Sequence, residues 1–178
     1  MSASGTPPPR PAWRDRSLWL RSAVYVLIAV GLSNLLVNEA IDQGPIALVR
    51  ESIARAAASV LRFFGTSATA VGDRVQMTRG AVQIVNACTG FDVSILLSAA
   101  ILVFPATWRA RLLGVLIAFA VLMPLNFLRV LTLAWAVNSR PDVFELSHYY
   151  IWPTIVIVVC LATLLGWIQL LALRERSP

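Results

Sequence analysis

From Leu112 to Val137 the chain carries a single charged residue, Arg129, in an otherwise apolar run. Roughly 20 helical residues cross a bilayer core of roughly 30 Å, and backbone polar groups inside that core must pair with one another. A run of this length therefore predicts a membrane-spanning helix. Three more stretches share its character: Leu18 to about Val37, Phe91 to Ala106, and Tyr149 to Leu173. The second is the shortest and closes on Pro105. The last opens on Tyr149, Tyr150 and Trp152, as an interfacial aromatic belt would. With 58% hydrophobic and 13% charged residues, and a mean hydropathy of +0.74, the composition is that of a membrane protein.

All fifteen basic residues are arginines, and most of those beyond the 38–90 segment, which itself carries Arg50, Arg55, Arg62, Arg74 and Arg79, flank the apolar stretches instead of forming the stripe of a nucleic-acid reader. Arg10, Arg14 and Arg16 precede the first span, Arg109 and Arg111 fill the turn between the second and third, and Arg174 and Arg176 follow the fourth. Four crossings put all three groups on one side, which the positive-inside rule makes the cytoplasm. The segment 1–16 is Pro-rich and polar and is expected to be a disordered cytoplasmic N-terminus. The apolar segment after it lacks an A-x-A-like cleavage site and is read as a retained helix. Residues 17–173 form one membrane-embedded domain, and 174–178 a cytoplasmic tail.

The outer side then holds 38–90 and a loop at 138–148. Ile46, Val49, Ile53, Ala57, Val60 and Phe64 recur at helical spacing, with Arg50, Glu51, Arg55 and Arg62 mostly off that face. This predicts an amphipathic helix at 45–64, lying on the outer leaflet or on the bundle. Turn signals at Gly72-Asp73 and Arg79-Gly80 between alternating residues predict two or three short strands, a small hairpin leading to Cys88. The fold class is thus an all-α integral membrane protein of four transmembrane helices, with an extracytoplasmic amphipathic helix and a small β-hairpin.

Several polar residues go beyond what an anchor needs. Cys88 stands at the outer mouth of the second span, Asn126 and Arg129 in the outer half of the third, and His148, the single histidine, at the outer mouth of the fourth. The topology brings them to one level. Arg129 falls about eight residues, roughly 12 Å, inside the outer end of its span. Arginine at such a depth usually faces a bundle interior or a watery cavity, and Asn126 shares its face. The alternative is an arginine snorkelling to the interface. A thiol is activated by a neighbouring imidazole or cation, so Cys88 and His148 suit a nucleophile and its base, with Arg129 stabilising a thiolate or an oxyanion. Inert packing is the alternative for Cys88, and an ordinary interfacial residue for His148. Asp92 is expected one turn deeper than Cys88 on the same face, orienting the site or only capping the helix. Gly90 allows close backbone approach, for instance by a substrate carbonyl. Cys160 lies about 18 Å deeper than His148 and behaves as a small hydrophobe, too far from Cys88 for a disulfide. No Cys/His cluster has metal spacing, so no metal and no cofactor is expected.

A-C-T-G at 87–90, N-F-L-R at 126–129 and a histidine opening the next helix resemble the exosortase/archaeosortase family, over roughly residues 20–173. Those are membrane-embedded cysteine transpeptidases. The chain is similar in size, and in its A-C-T-G-F-D motif, to the compact exosortase H type. The resemblance implies that Cys88 is the nucleophile, with Arg129 and His148 as its catalytic partners and Asn126 in support. It implies an enzyme in the bacterial cytoplasmic (inner) membrane, with both termini inside and the active site outside. The implied partners are the C-terminal transmembrane sorting signal of exported proteins, membrane lipids, and water or a lipid or glycan amine as acceptor. A non-enzymatic assembly or chaperone subunit, in which Arg129 and Asn126 bind a helix and Cys88 is dispensable, is the rival reading. A thiol oxidoreductase would need a second outer cysteine.

Overall fold

The computed structural model describes residues 20, 23–31 and 42–176. The segment 1–16 and half of the first predicted span lie outside the described residues; within that span, 23–31 is helical (α1). A kinked turn at Asp42–Ile46, where Gly44 leaves helical geometry, leads into α2, Ala47–Phe63. Its buried stripe is Ala54, Ala57, Ala58 and Leu61, the i, i+3, i+4, i+7 pattern of a helix packed on one side. This is a correction of one position to the expected face: Val49, Ile53 and Val60 are only half-buried and Phe64 is exposed. Alanines win the inner face because their small side chains let the neighbouring sheet come close. The helix stops in a Schellman arrangement, with Thr66 N–H donating to Leu61 O and Gly65 N–H to Arg62 O, both at 2.9 Å. Gly65 supplies the left-handed φ of +81° that this ending requires.

Three antiparallel strands follow in the order β1-β2-β3, at Ala68–Val71, Arg74–Met77 and Ala81–Gln83. Val71 pairs with Arg74 across the two-residue loop Gly72-Asp73, and Gly72 has the positive φ, +59°, that favours tight hairpins. Ala68, Val75 and Ile84 point inward onto the α2 alanines, and form one core with Cys88, Val130 and Ala134.

Cys88 ends a short 3₁₀ turn, Asn86–Cys88, from which Gly90 swings the chain into α3, Phe91–Val103. Ser94 and Ser98 are buried in α3 and donate to the carbonyls of Gly90 and Ser94, so their hydroxyls stay satisfied among apolar neighbours. Arg111 Nε donates to Phe104 O at 3.2 Å and so covers an orphan carbonyl just beyond the end of α3. Helix α4 then runs unbroken from Trp108 to Ser139, 32 residues with Pro124 inside it. A second core joins Leu97 and Ile101 of α3, Ala118 and Leu122 of α4, and Trp167.

The expected outer loop at 138–148 is overturned. Arg140 alone breaks the helical backbone, Pro141 starts α5 (Pro141–Leu146), a π-helical turn occupies Ser147–Ile151, and α6 continues from Trp152 to Arg176. Proline at the first helical position loses no hydrogen bond and already holds a helical φ, which is why the turn is so tight. Among the described residues, two stretches are long and apolar enough to cross a bilayer: Trp108–Ser139 and Pro141–Leu173. Helix α3, with 13 residues, reaches only about 20 Å, and half of the first predicted span is outside the described residues, so four full crossings are not carried by the described helices. Leu96, Leu116, Leu128, Leu161, Leu165 and Leu170 point outward and exposed, a surface suited to lipid.

Candidate functional site

The turn bearing Cys88 is short and closes on its own backbone. Cys88 N–H donates to Val85 O at 2.8 Å, while Thr89 returns both its N–H (2.9 Å) and its Oγ1–H (2.7 Å) to Asn86 O. Gly90 follows with φ +81°. Cys88 is 7% exposed and belongs to the core shared by α2, the sheet and the C-terminal half of α4.

That left-handed glycine changes the expectation for Asp92. Cys88 and Asp92 lie on opposite sides of a break in helical geometry, so they do not share a helix face. Asp92 is a half-buried carboxylate in the first turn of α3, where it complements the helix dipole. The close approach that Gly90 permits is to Asn126: a Cβ there would lie 2.6 Å from Asn126 Nδ2. Asn126 is 1% exposed. Its Nδ2 donates to Leu122 O at 3.1 Å, and since that carbonyl can only accept, the amide orientation is fixed and Oδ1 is left facing elsewhere.

Arg129, half-buried and one turn further along α4, lies close enough to His148 to act on it electrostatically. His148 sits in the π-helical turn, its ring stacked on Phe144 at 5.6 Å and edge-on to Tyr149 at 4.8 Å. Trp152 N–H reaches back five residues to Ser147 O, the bond that defines such a turn. π-turns inside helices recur at functional sites because they re-aim a side chain that a regular helix would point elsewhere.

Asn126 Oδ1, Arg129 Nε and His148 Nδ1 are all buried with no hydrogen-bond partner. An unpaired buried polar atom costs about 1–3 kcal/mol, so three of them call for something to pair with. The structure thus brings Gly90 to Asn126 and Arg129 to His148. Among the described residues no hydrogen bond joins the Cys88 thiol to His148 or to Arg129. Cys160 packs against the other core, with Leu97, Ile101 and Trp167, and both cysteines are free. Among the described residues no group of three or more metal-ligating side chains occurs.

Sequence reasoning missed Asn86 and Arg50. Arg50 Nη1 donates to Asn86 Oδ1, and this contact ties α2 to the cysteine turn. The only sequence signal was an asparagine two residues before the cysteine.

The family model described as transmembrane exosortase (Exosortase_EpsH) matches residues 12–166. The chain belongs to the transmembrane exosortase family. No curated protein and no solved structure matches it. The match embraces, for most of their length, the two helices that are long enough to cross a bilayer among the described residues, together with the sheet and the cysteine turn between α2 and α3. The apolar outer faces of this exosortase thus belong to a membrane protein.

Proposed function

We propose that this exosortase is a cysteine transpeptidase that removes the C-terminal sorting signal of exported proteins at the outer face of the bacterial cytoplasmic membrane. The Cys88 thiolate attacks the carbonyl carbon of the scissile peptide bond, forming a C–S bond while the carbonyl electrons move onto oxygen. Arg129 stabilises that oxyanion. Collapse breaks the C–N bond, and the departing amine takes a proton from the His148 imidazolium, leaving a thioacyl enzyme. The neutral imidazole then takes a proton from water, or from an amine on a lipid or glycan. That nucleophile replaces the thiolate at the carbonyl, and the cycle closes.

The observation that carries this reading is that Arg129 and His148 each hold a buried nitrogen without a partner, and that Arg129 lies on α4, whose Val130 and Ala134 pack in one core with Cys88. A substrate carbonyl and amide supply the acceptor and donor that these groups lack. Catalytic hydrogen bonds are often long in a free enzyme and tighten on substrate, so a thiol not yet bonded to its base is compatible with the reading. The topology that goes with it keeps Arg109, Arg111, Arg174 and Arg176 in the cytoplasm and the sheet outside.

The test is co-expression of an exported protein bearing a candidate tag, read by intact mass spectrometry. Wild type and Cys160→Ala are expected to remove the tag, and Cys88→Ala to leave it. Equal processing by Cys88→Ala removes the nucleophile from the mechanism and favours a non-enzymatic assembly subunit. Any mass added to the product identifies the acceptor.

A further inference from the structure

A polar strap outside the Cys88–Arg129–His148 set links α2 to the cysteine turn. The Arg50 side chain is only 12% exposed. Its Nη1 donates to Asn86 Oδ1 at 2.5 Å, and its Nε lies 3.7 Å from Asp73 Oδ2. Asp73, in the β1–β2 loop, accepts from Gln83 Nε2 at 3.2 Å through the same oxygen, and from Ile84 N–H at 2.8 Å through its backbone carbonyl. Asn86 in turn takes both Thr89 donors on its backbone oxygen. One guanidinium therefore touches the loop that grips the end of β3 and the first residue of the turn that ends in Cys88.

The location matters because the turn sits where one backbone geometry gives way to another. It joins an extended residue, Val85, to a left-handed glycine, so neither a strand ladder nor a helix ladder sets its tilt. Hydrogen bonds to a charged donor are roughly twice as strong as neutral ones, and this one acts two residues from the sulfur. A short turn free to rock would spread the position of Sγ, and misplacement by about 1 Å can cost on the order of a hundredfold in rate.

We infer that Arg50 is a positioning residue for the nucleophile: it clamps Asn86, and through the Asn86–Thr89 turn it fixes where the Cys88 thiol points. This rests on the reading of Cys88 as the nucleophile. Arg50 touches no reacting atom, and its effect falls on the rate of the bound complex, not on substrate affinity.

The test uses the full chain in a Cys160→Ala background with two readouts. One is the rate of Cys88 alkylation by iodoacetamide across pH, which needs no substrate. The other is kcat and KM for tag removal. Arg50→Gln and Asn86→Ala are each expected to lower kcat by roughly tenfold to a hundredfold with KM unchanged. Both are expected to change the alkylation profile in the same way. The double variant is expected to be no slower than the slower single one, because both break one contact. Arg50→Lys is expected to recover part of the rate. Asn86→Ala leaves the Arg50–Asp73 pair intact and decides the matter if Arg50→Gln does not accumulate. Wild-type kcat and alkylation in Asn86→Ala, or effects that multiply in the double variant, would overturn the inference. If Cys88→Ala processes substrate normally, the transpeptidase reading fails instead, and the alkylation profiles still report whether Arg50 sets the thiol.

Discussion

At the scale of single residues, the contact between Gly90 and Asn126 is where backbone and side chain leave each other least room. Alanine at 90 would have to hold φ near +81° and also push against the Asn126 amide at 2.6 Å. A non-glycine residue held in such a conformation costs on the order of 1–3 kcal/mol. Gly90→Ala is therefore expected to lower the melting temperature in detergent, and Asn126→Ala in the same chain to return only part of the loss, since it relieves the clash and not the backbone. Full recovery would mean the backbone contributes nothing. Arg129 was legible as a candidate because a charge amid apolar neighbours stands out in a one-dimensional string, and Cys88 and His148 because the expected topology brings them to its level. Arg50 was not, because its partner Asn86 is 36 residues away and arginine on an amphipathic helix reads as a solvated charge.

Among the elements, the α3–α4–α6 junction depends on one side chain. Trp167 is buried in α6, donates Nε1–H to Ala110 O at 3.1 Å, meets Phe104 edge-on at 5.5 Å, and presses on Gly114 so closely that a Cβ there would lie 2.6 Å from its nitrogen. Trp167→Ala is expected to cost about 3–5 kcal/mol from the cavity it opens. Trp167→Phe should lose less, with the missing hydrogen bond accounting for about 0.5–1.5 kcal/mol. Thermal unfolding in detergent measures both, and equal losses would mean that the indole nitrogen, not the ring, holds the junction. The apolar runs of α3, α4 and α6 were legible in the sequence, as were the hairpin turns at Gly72 and Arg79-Gly80. The run 138–148 was misread because polar residues suggest a loop, whereas Pro141 starts a helix at once. The α2 stripe was misplaced because Val and Ile outrank Ala in hydrophobicity, while the close sheet selects for small size.

For the whole molecule, the proposed topology makes an accessibility prediction. In a chain with Cys88→Ala and Cys160→Ala, Arg79→Cys is expected to react with an impermeant maleimide from outside intact cells, and Arg109→Cys only after permeabilisation. The reverse pattern would turn the protein over. The β2–β3 loop supports the first expectation, since Gly80 abuts Val137 and Arg79 N–H donates to Asn138 Oδ1 at the end of α4 opposite Arg109.

The length of α4 alters how the site relates to the bilayer. At about 1.5 Å per residue its 32 residues reach roughly 48 Å, well beyond a hydrocarbon core of roughly 30 Å. Arg111 and Arg129 stand roughly 27 Å apart along it, close to the thickness of that core. With Arg111 at the inner edge, Arg129 rises to the outer edge, above the depth expected if the helix had ended at the membrane. The helix then works as a depth gauge. Under the proposed activity, the bond that is cut is selected by its height above the lipid as well as by its neighbours in the substrate. A thicker bilayer, such as one of longer acyl chains, would submerge the gauge mark and slow the proposed cleavage without altering any residue.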